Sequence, residues 1–196
     1  MIEVRSGGRR RIDRVLDPGY VVGAGEWGLA QLRARRDDAA QEETDLSYLR
    51  RLLHARIDIV RAEQRRRREG GSVPVLAELG RILAVNAVGP AIGSGRHQML
   101  APSRAEAHRR HVEALVADVD LSNVGSLSDE QLDGALRAYC AAEGSVSARR
   151  REVQHVVDTF NAEIGSRYAS GAASVDELLA EQRQLGLTHP ARPAPR

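Results

Sequence analysis

Residues 43–63 read ETDLSYLRRLLHARIDIVRAE, and residues 143–163 read EGSVSARRREVQHVVDTFNAE. The first stretch carries Glu43, Ser47, Arg50, His54 and Asp58, at spacings of 4-3-4-4. The second carries Glu143, Ser147, Arg150, Gln154 and Asp158 at the same spacings, one hundred positions later. The flanks repeat as well: Arg51 and Arg151, Ala62 and Ala162, Glu63 and Glu163, Arg67 and Arg167. Spacings of three and four belong to a helix that turns 100° per residue. With Glu43 at zero, Ser47 falls near ~+40°, Arg50 near ~−20°, His54 near ~+20° and Asp58 near ~+60°. Five polar side chains therefore share one stripe. Beside it runs an apolar stripe of Leu46, Leu49, Leu53, Ile57 and Val60, echoed by Val146, Val153, Val157, Phe160 and Ile164. Such heptad-like spacing is the pattern of a coiled-coil seam, and a seam needs a partner helix.

The fold expected from this pairing is all-α: a long antiparallel coiled-coil helical hairpin with short accessory helices. The polar stripes would line the groove flanking the seam. Charged residues beside a seam commonly make interhelical salt bridges and nothing more. Salt bridges need opposite charges, however, and here the same residue types recur in the same order on both helices. Two like stripes in an antiparallel pair generate a pseudo-two-fold axis, which points to a two-fold ligand or a pair of ligands. The arginine fork fits a guanine edge at O6 and N7, or a phosphate. Carboxylates accept from the guanine N1 and N2 protons, and Ser and Gln supply neutral hydrogen bonds. That set, twice over, suits a symmetric guanine dinucleotide.

The E-x3-S-x2-R-x3-Q-x3-D signature, present twice, resembles the RsiG family of actinobacterial anti-sigma factors. The run SYLRRLLHARIDIVRAE is similar to that family too. The resemblance implies a hairpin that binds cyclic di-GMP as a self-associated pair and, when loaded, captures WhiG, a flagellar-type sigma factor controlling sporulation. The ligand-binding residues it implies are Glu43, Ser47, Arg50, His54, Asp58, Glu143, Ser147, Arg150, Gln154 and Asp158. The second copy matches at all five positions. The first departs once, with His54 in place of Gln. A neutral imidazole donates one bond and accepts another, as an amide does, but with different reach and with a dependence on pH.

Composition agrees with extended helices. Aromatic residues make up 3%, and all 29 basic residues are arginine. The arginine bias fits a GC-rich genome. A net charge of +2 gives no electrostatic case for direct DNA binding. The single cysteine, Cys140, allows no internal disulfide or thiolate zinc cluster, and reads as a small buried or seam residue. Met1 to Arg14 carries charge with no apolar stretch behind it, so no signal peptide is expected. No run approaches the ~18 apolar residues of a membrane span. A cytoplasmic protein is expected.

Along the chain, residues 1–25 read as an N-terminal tail with a short ordered segment. Met1 to Arg14 reads as disordered and Arg9 to Arg11 as solvated. Ile12 to Leu16 is ordered, with a turn at Asp17-Pro18-Gly19 and a connector from Tyr20 to Gly25. Residues 26–171 form the hairpin, with an inserted helix and mobile loop at about 72–127. The first long helix runs from Glu26 to about Glu69. Arg65 to Arg68 sit in its last turn, where they complement the helix dipole, and Gly70 and Gly71 follow. Ser72-Val73-Pro74 opens the inserted helix, with Leu76, Leu79, Ile82 and Leu83 as its apolar face. Gly89 to Pro102 is expected to be mobile, and Ser103 to Asp118 helical. His108 and His111 stand at a metal-ligand spacing without companion ligands, so no metal is expected. Ser128 and Gln131 form a capping box at the start of the second long helix, which ends near Tyr168 to Gly171. Gly144 within it would let a flat ligand ring come close. Residues 172–196 hold a short C-terminal helix, capped by Ser174 and Glu177, and a flexible tail.

Neither a Ser-His-Asp grouping nor a phosphate loop is present, so the expected protein is a signalling switch and not an enzyme. Two motifs in one chain imply a monomer that builds the paired site before it meets sigma. The outer hairpin face and the Leu76 to Leu83 helix are the candidate grip for sigma. The competing expectation is a coiled-coil adaptor whose stripes are structural salt bridges with no nucleotide ligand.

Overall fold

The structure, a computed structural model, describes residues 2–71, 80 and 121–171. The expected inserted helix with Leu76 to Leu83, the loop Gly89 to Pro102, the His108–His111 helix and the segment 172–196 lie outside the described residues. Among the described residues there is no strand. A five-residue helix α1 (Arg11–Val15) precedes two long helices, α2 (Leu29–Arg68) and α3 (Asp129–Ala169). Short 3-10 turns lie at Pro18–Tyr20 and Ala24–Glu26 ahead of α2, and at Leu121–Ser126 ahead of α3.

The two long helices hold 40 and 41 residues, about 60 Å of helix each. They pack against each other antiparallel. Near one end Arg67 reaches Asp129, and near the other Arg33 reaches the Tyr168 hydroxyl. The seam is the one expected. Leu46, Leu49, Leu53 and Val60 are fully buried and Ile57 nearly so. Val146, Val153, Val157, Phe160 and Ile164 are buried opposite them. A second cluster at the α2 start gathers Leu32, Phe160 and Ile164, with Tyr20 and Trp27 packed against it. Tyr20 meets Phe160 edge to face, at 5.8 Å between ring centroids.

Local signals set the helix ends. Ser128 and Gln131 form the expected reciprocal capping box. At the α2 C-terminus Gly70 takes φ +64°, the left-handed conformation that glycine adopts without strain. Gly71 N–H donates to Arg66 O at 2.9 Å and Gly70 N–H to Arg67 O at 3.3 Å. That is a Schellman ending. Gly171 repeats the positive φ after α3.

The N-terminal residues depart from expectation. They form a strap along the hairpin and are not a loose tail. Ile2 is buried. Its N–H donates to Ser145 Oγ at 2.8 Å, and its carbonyl accepts from Arg149 Nε at 3.1 Å. Ile12 and Val15 are fully buried in the main core. Arg11, read from sequence as solvated, is held by acidic side chains of α2: Asp45 at 2.8 Å, Asp38 at 3.3 Å and Glu42 at 3.7 Å. Glu42 and Asp45 are buried, and buried carboxylates require a cation. That requirement places Arg11, and no periodicity in the sequence announces it.

Candidate functional site

Setting the helices antiparallel brings the N-terminal halves of the two stripes together. Arg50 on α2 lies against Glu143 on α3, Nε to Oε1 3.3 Å. Arg150 on α3 lies against Glu43 on α2, Nη1 to Oε1 3.0 Å. The two pairs are related by a pseudo-two-fold axis through the Leu46–Ser47 and Val146–Ser147 levels. Each serine braces its own glutamate one turn away: Ser47 Oγ donates to Glu43 Oε1 at 2.7 Å and Ser147 Oγ to Glu143 Oε1 at 2.6 Å.

Two identical stripes read in the sequence as unsuited to salt bridges, and the fold corrects that reading. Reversing the direction of one helix sets the glutamate of each copy opposite the arginine of the other, so identical stripes do cross-pair. These pairs are half-exposed, with side-chain exposures of 42% for Arg50 and 21% for Glu143. Pairs of that kind contribute at most about 1 kcal/mol each. They orient the arginines without committing them.

The outer members do not join the centre equally. His54 reaches across the seam, with Nε2 3.1 Å from Glu143 Oε1. Gln154, its counterpart, turns along its own helix and donates to Asp158 Oδ1 at 2.9 Å. Asp58 and Asp158 stand at opposite ends of the groove, roughly 35 Å apart by helical rise. The ten residues thus form a central cluster of Glu43, Ser47, Arg50, His54, Glu143, Ser147 and Arg150, with Asp58, Gln154 and Asp158 beyond it.

The electrostatics single out Glu143. Burial pushes its carboxyl upward, but the Ser147 hydroxyl, the charge of His54 and the Arg50 guanidinium outweigh that and hold it below the usual range. Arg150 Nε is buried and has no hydrogen-bond partner among the described residues. An unmet buried donor carries a cost that a bound acceptor would remove. Gly144 has nothing within 4 Å of where a Cβ would stand, so its side is open. Cys140, expected to be a small buried or seam residue, is exposed. It stands about 100° round the helix from its seam neighbour Tyr139.

The repeated flanks prove to be a second device, one the spacing flagged without revealing its purpose. Glu63 is buried and accepts from Arg66 and Arg67, each at 2.7 Å. The Arg66 hydrogen bond, against the opposing effect of burial, holds the Glu63 carboxyl below its usual value. Arg67 then donates to the carbonyls of Gly125 and Leu127 ahead of α3, at 3.2 and 2.7 Å. At the other end Glu163 holds Arg167 at 2.8 Å. Arg167 donates to the carbonyls of Ala24, Gly25 and Trp27 ahead of α2. Each helix thereby ties down the turn that launches the other. Arg67 was expected to complement the helix dipole.

Among the described residues no cluster of His, Cys, Asp and Glu could hold a metal, and no helix is long and apolar enough to cross a membrane. No curated protein matches the chain. A family model described as RsiG-like matches residues 22–83 and 118–182. Both halves of the hairpin fall within the match, and residues 84–117 between them do not.

Proposed function

The chain belongs to the RsiG-like family, and from that premise we propose that it is an anti-sigma factor governed by cyclic di-GMP. Loaded with the dinucleotide, it sequesters a WhiG-like sigma factor from RNA polymerase. The family's role is regulatory and not catalytic. The observation that carries the ligand reading is the convergence of Arg50 and Arg150, each with a glutamate and a serine, in one groove about a pseudo-two-fold axis. This donor set fits guanine and phosphate twice over. Arg50 and Arg150 recognise guanine edges or phosphate. Glu43, Glu143, Asp58 and Asp158 accept from guanine or orient the arginines, and Ser47, Ser147, His54 and Gln154 complete the bonds. Coupling to sigma follows if the ligand favours the sigma-competent state over the empty one.

The cross-pairing of Arg50 with Glu143 and Arg150 with Glu43 supports a second reading. In it the stripes are a structural brace in a coiled-coil adaptor. Calorimetry of the full chain with cyclic di-GMP, alone and with a flagellar-type sigma factor, separates the two. The anti-sigma reading expects binding that weakens at least about tenfold in Arg50→Ala and in Arg150→Ala, the scale of a charged hydrogen bond. Absence of heat in both arms would leave only the brace.

A further inference from the structure

The two halves of the groove carry nearly the same residues but not the same bonds. On one side Glu143 Oε1 gathers three donors: Ser147 Oγ at 2.6 Å, His54 Nε2 at 3.1 Å and Arg50 Nε at 3.3 Å. Ser147 Oγ also lies 3.2 Å from Arg50 Nε. Arg50 is therefore fixed through Nε. Among the described residues its two terminal nitrogens have no partner, and its side chain is 42% exposed. A planar fork held by its stem and open at its tip is arranged for a bidentate acceptor.

On the other side Glu43 Oε1 receives Ser47 Oγ at 2.7 Å and Arg150 Nη1 at 3.0 Å. Gln154 is engaged with Asp158 and does not join. Arg150 is thus held by its tip, while its Nε is buried without a hydrogen-bond partner among the described residues. To present its fork, Arg150 must first leave Glu43. The difference traces to position 54, where an imidazole reaches the opposite helix, while the amide at 154 stays on its own.

We propose that the two halves are inequivalent toward ligand, that the Arg50 half is the tighter, and that His54 makes it proton-sensitive. This rests on the cyclic di-GMP reading above. A charged His54 offsets the negative charge of Glu143, which holds Arg50 by its stem, and adds a positive charge beside an anionic ligand. A neutral His54 does less of each. Histidine is the side chain that changes charge between about pH 5 and 8. On α2, Arg50, Arg51 and Asp58 lie one helical turn from His54. On α3, Glu143 is within bonding distance of its ring, and the antiparallel register sets Tyr139 and Cys140 at its level.

The test is calorimetry of the full chain with cyclic di-GMP, alone and with the sigma factor, at about pH 6 and about pH 8. Wild type is expected to bind about threefold to fivefold more tightly at the lower pH, the scale of a half-exposed ion pair. His54→Gln is expected to bind at both pH values with that difference gone. Gln154→His is expected to bring the second half under the same control. Binding by wild type that ignores pH, or a pH dependence that survives in His54→Gln, overturns this inference alone. Absence of binding by wild type and His54→Gln alike, at both pH values and with sigma present, overturns the ligand reading and this inference with it.

Discussion

Glu143 and Gly144 are neighbours with opposite consequences. Glu143 turns inward and organises three donors on one oxygen. Gly144 faces open space and contributes no packing. A glycine inside a helix costs about 1 kcal/mol relative to alanine, and no crowding repays that cost here. Gly144→Ala is therefore expected to stabilise the protein by about that amount in chemical denaturation. A destabilised variant would mean that the open face is not open. The same variant bears on the expectation that Gly144 admits a flat ring, since an added methyl would then weaken cyclic di-GMP binding while the fold gains stability. Single residues were legible to this depth because the 4-3-4-4 spacing puts five motif positions on one face of each helix. What the spacing could not give was partner choice. His54 and Gln154 occupy equivalent positions, yet one bonds across the seam and the other along its own helix.

The helices themselves follow from local chemistry. Their apolar stripes, the Ser128 capping box and the Gly70 ending are all written in neighbouring residues. How the ends are held is not. Arg67 and Arg167 each cross to the opposite helix's launching turn. Carbonyls there would otherwise rely on water. Arg167→Ala is expected to raise amide hydrogen exchange over residues 24–29 while leaving 124–129 protected, and Arg67→Ala the reverse. Equal exchange at both ends in both variants would show that these arginines do not lock the turns. The arginine repeat was visible in the sequence. Its purpose was not, because the acceptors are backbone carbonyls, which carry no residue identity.

Across the whole molecule, the strap makes a nearly symmetric hairpin one-sided. Residues 2–15 cover one flank of the seam, and the motif groove lies on the other. The strap closes on Asp13, which is buried and accepts from Arg10 Nε at 2.7 Å and from Arg5 N–H at 2.9 Å. Gly8 passes so close that a Cβ would stand 2.3 Å from Asp13 Oδ2, so the close approach needs a glycine there. The Arg10 hydrogen bond leads the causes that bring the Asp13 carboxyl down from 3.8 to about 2, against the cost of burial. A folded value below the unfolded one means the stabilisation is full above about pH 4 and is lost as pH falls from 3.8 toward about 2. Its size is about 2 kcal/mol. The strap is expected to loosen over that window, read from the Ile2 and Arg5 amide signals, and Asp13→Asn to loosen it already at neutral pH. Strap signals unchanged by either would remove Asp13 from that role. The sequence by itself determined the two long helices, their apolar seam, their caps and the ten-residue motif, because each depends on residues three or four apart along one helix. Only the tertiary structure decided that opposite charges cross-pair, that the N-terminal residues form a strap and that the repeated arginines lock the turns. Those are contacts between residues tens of positions or more apart, set by which buried carboxylates and backbone carbonyls need a donor once the helices have met.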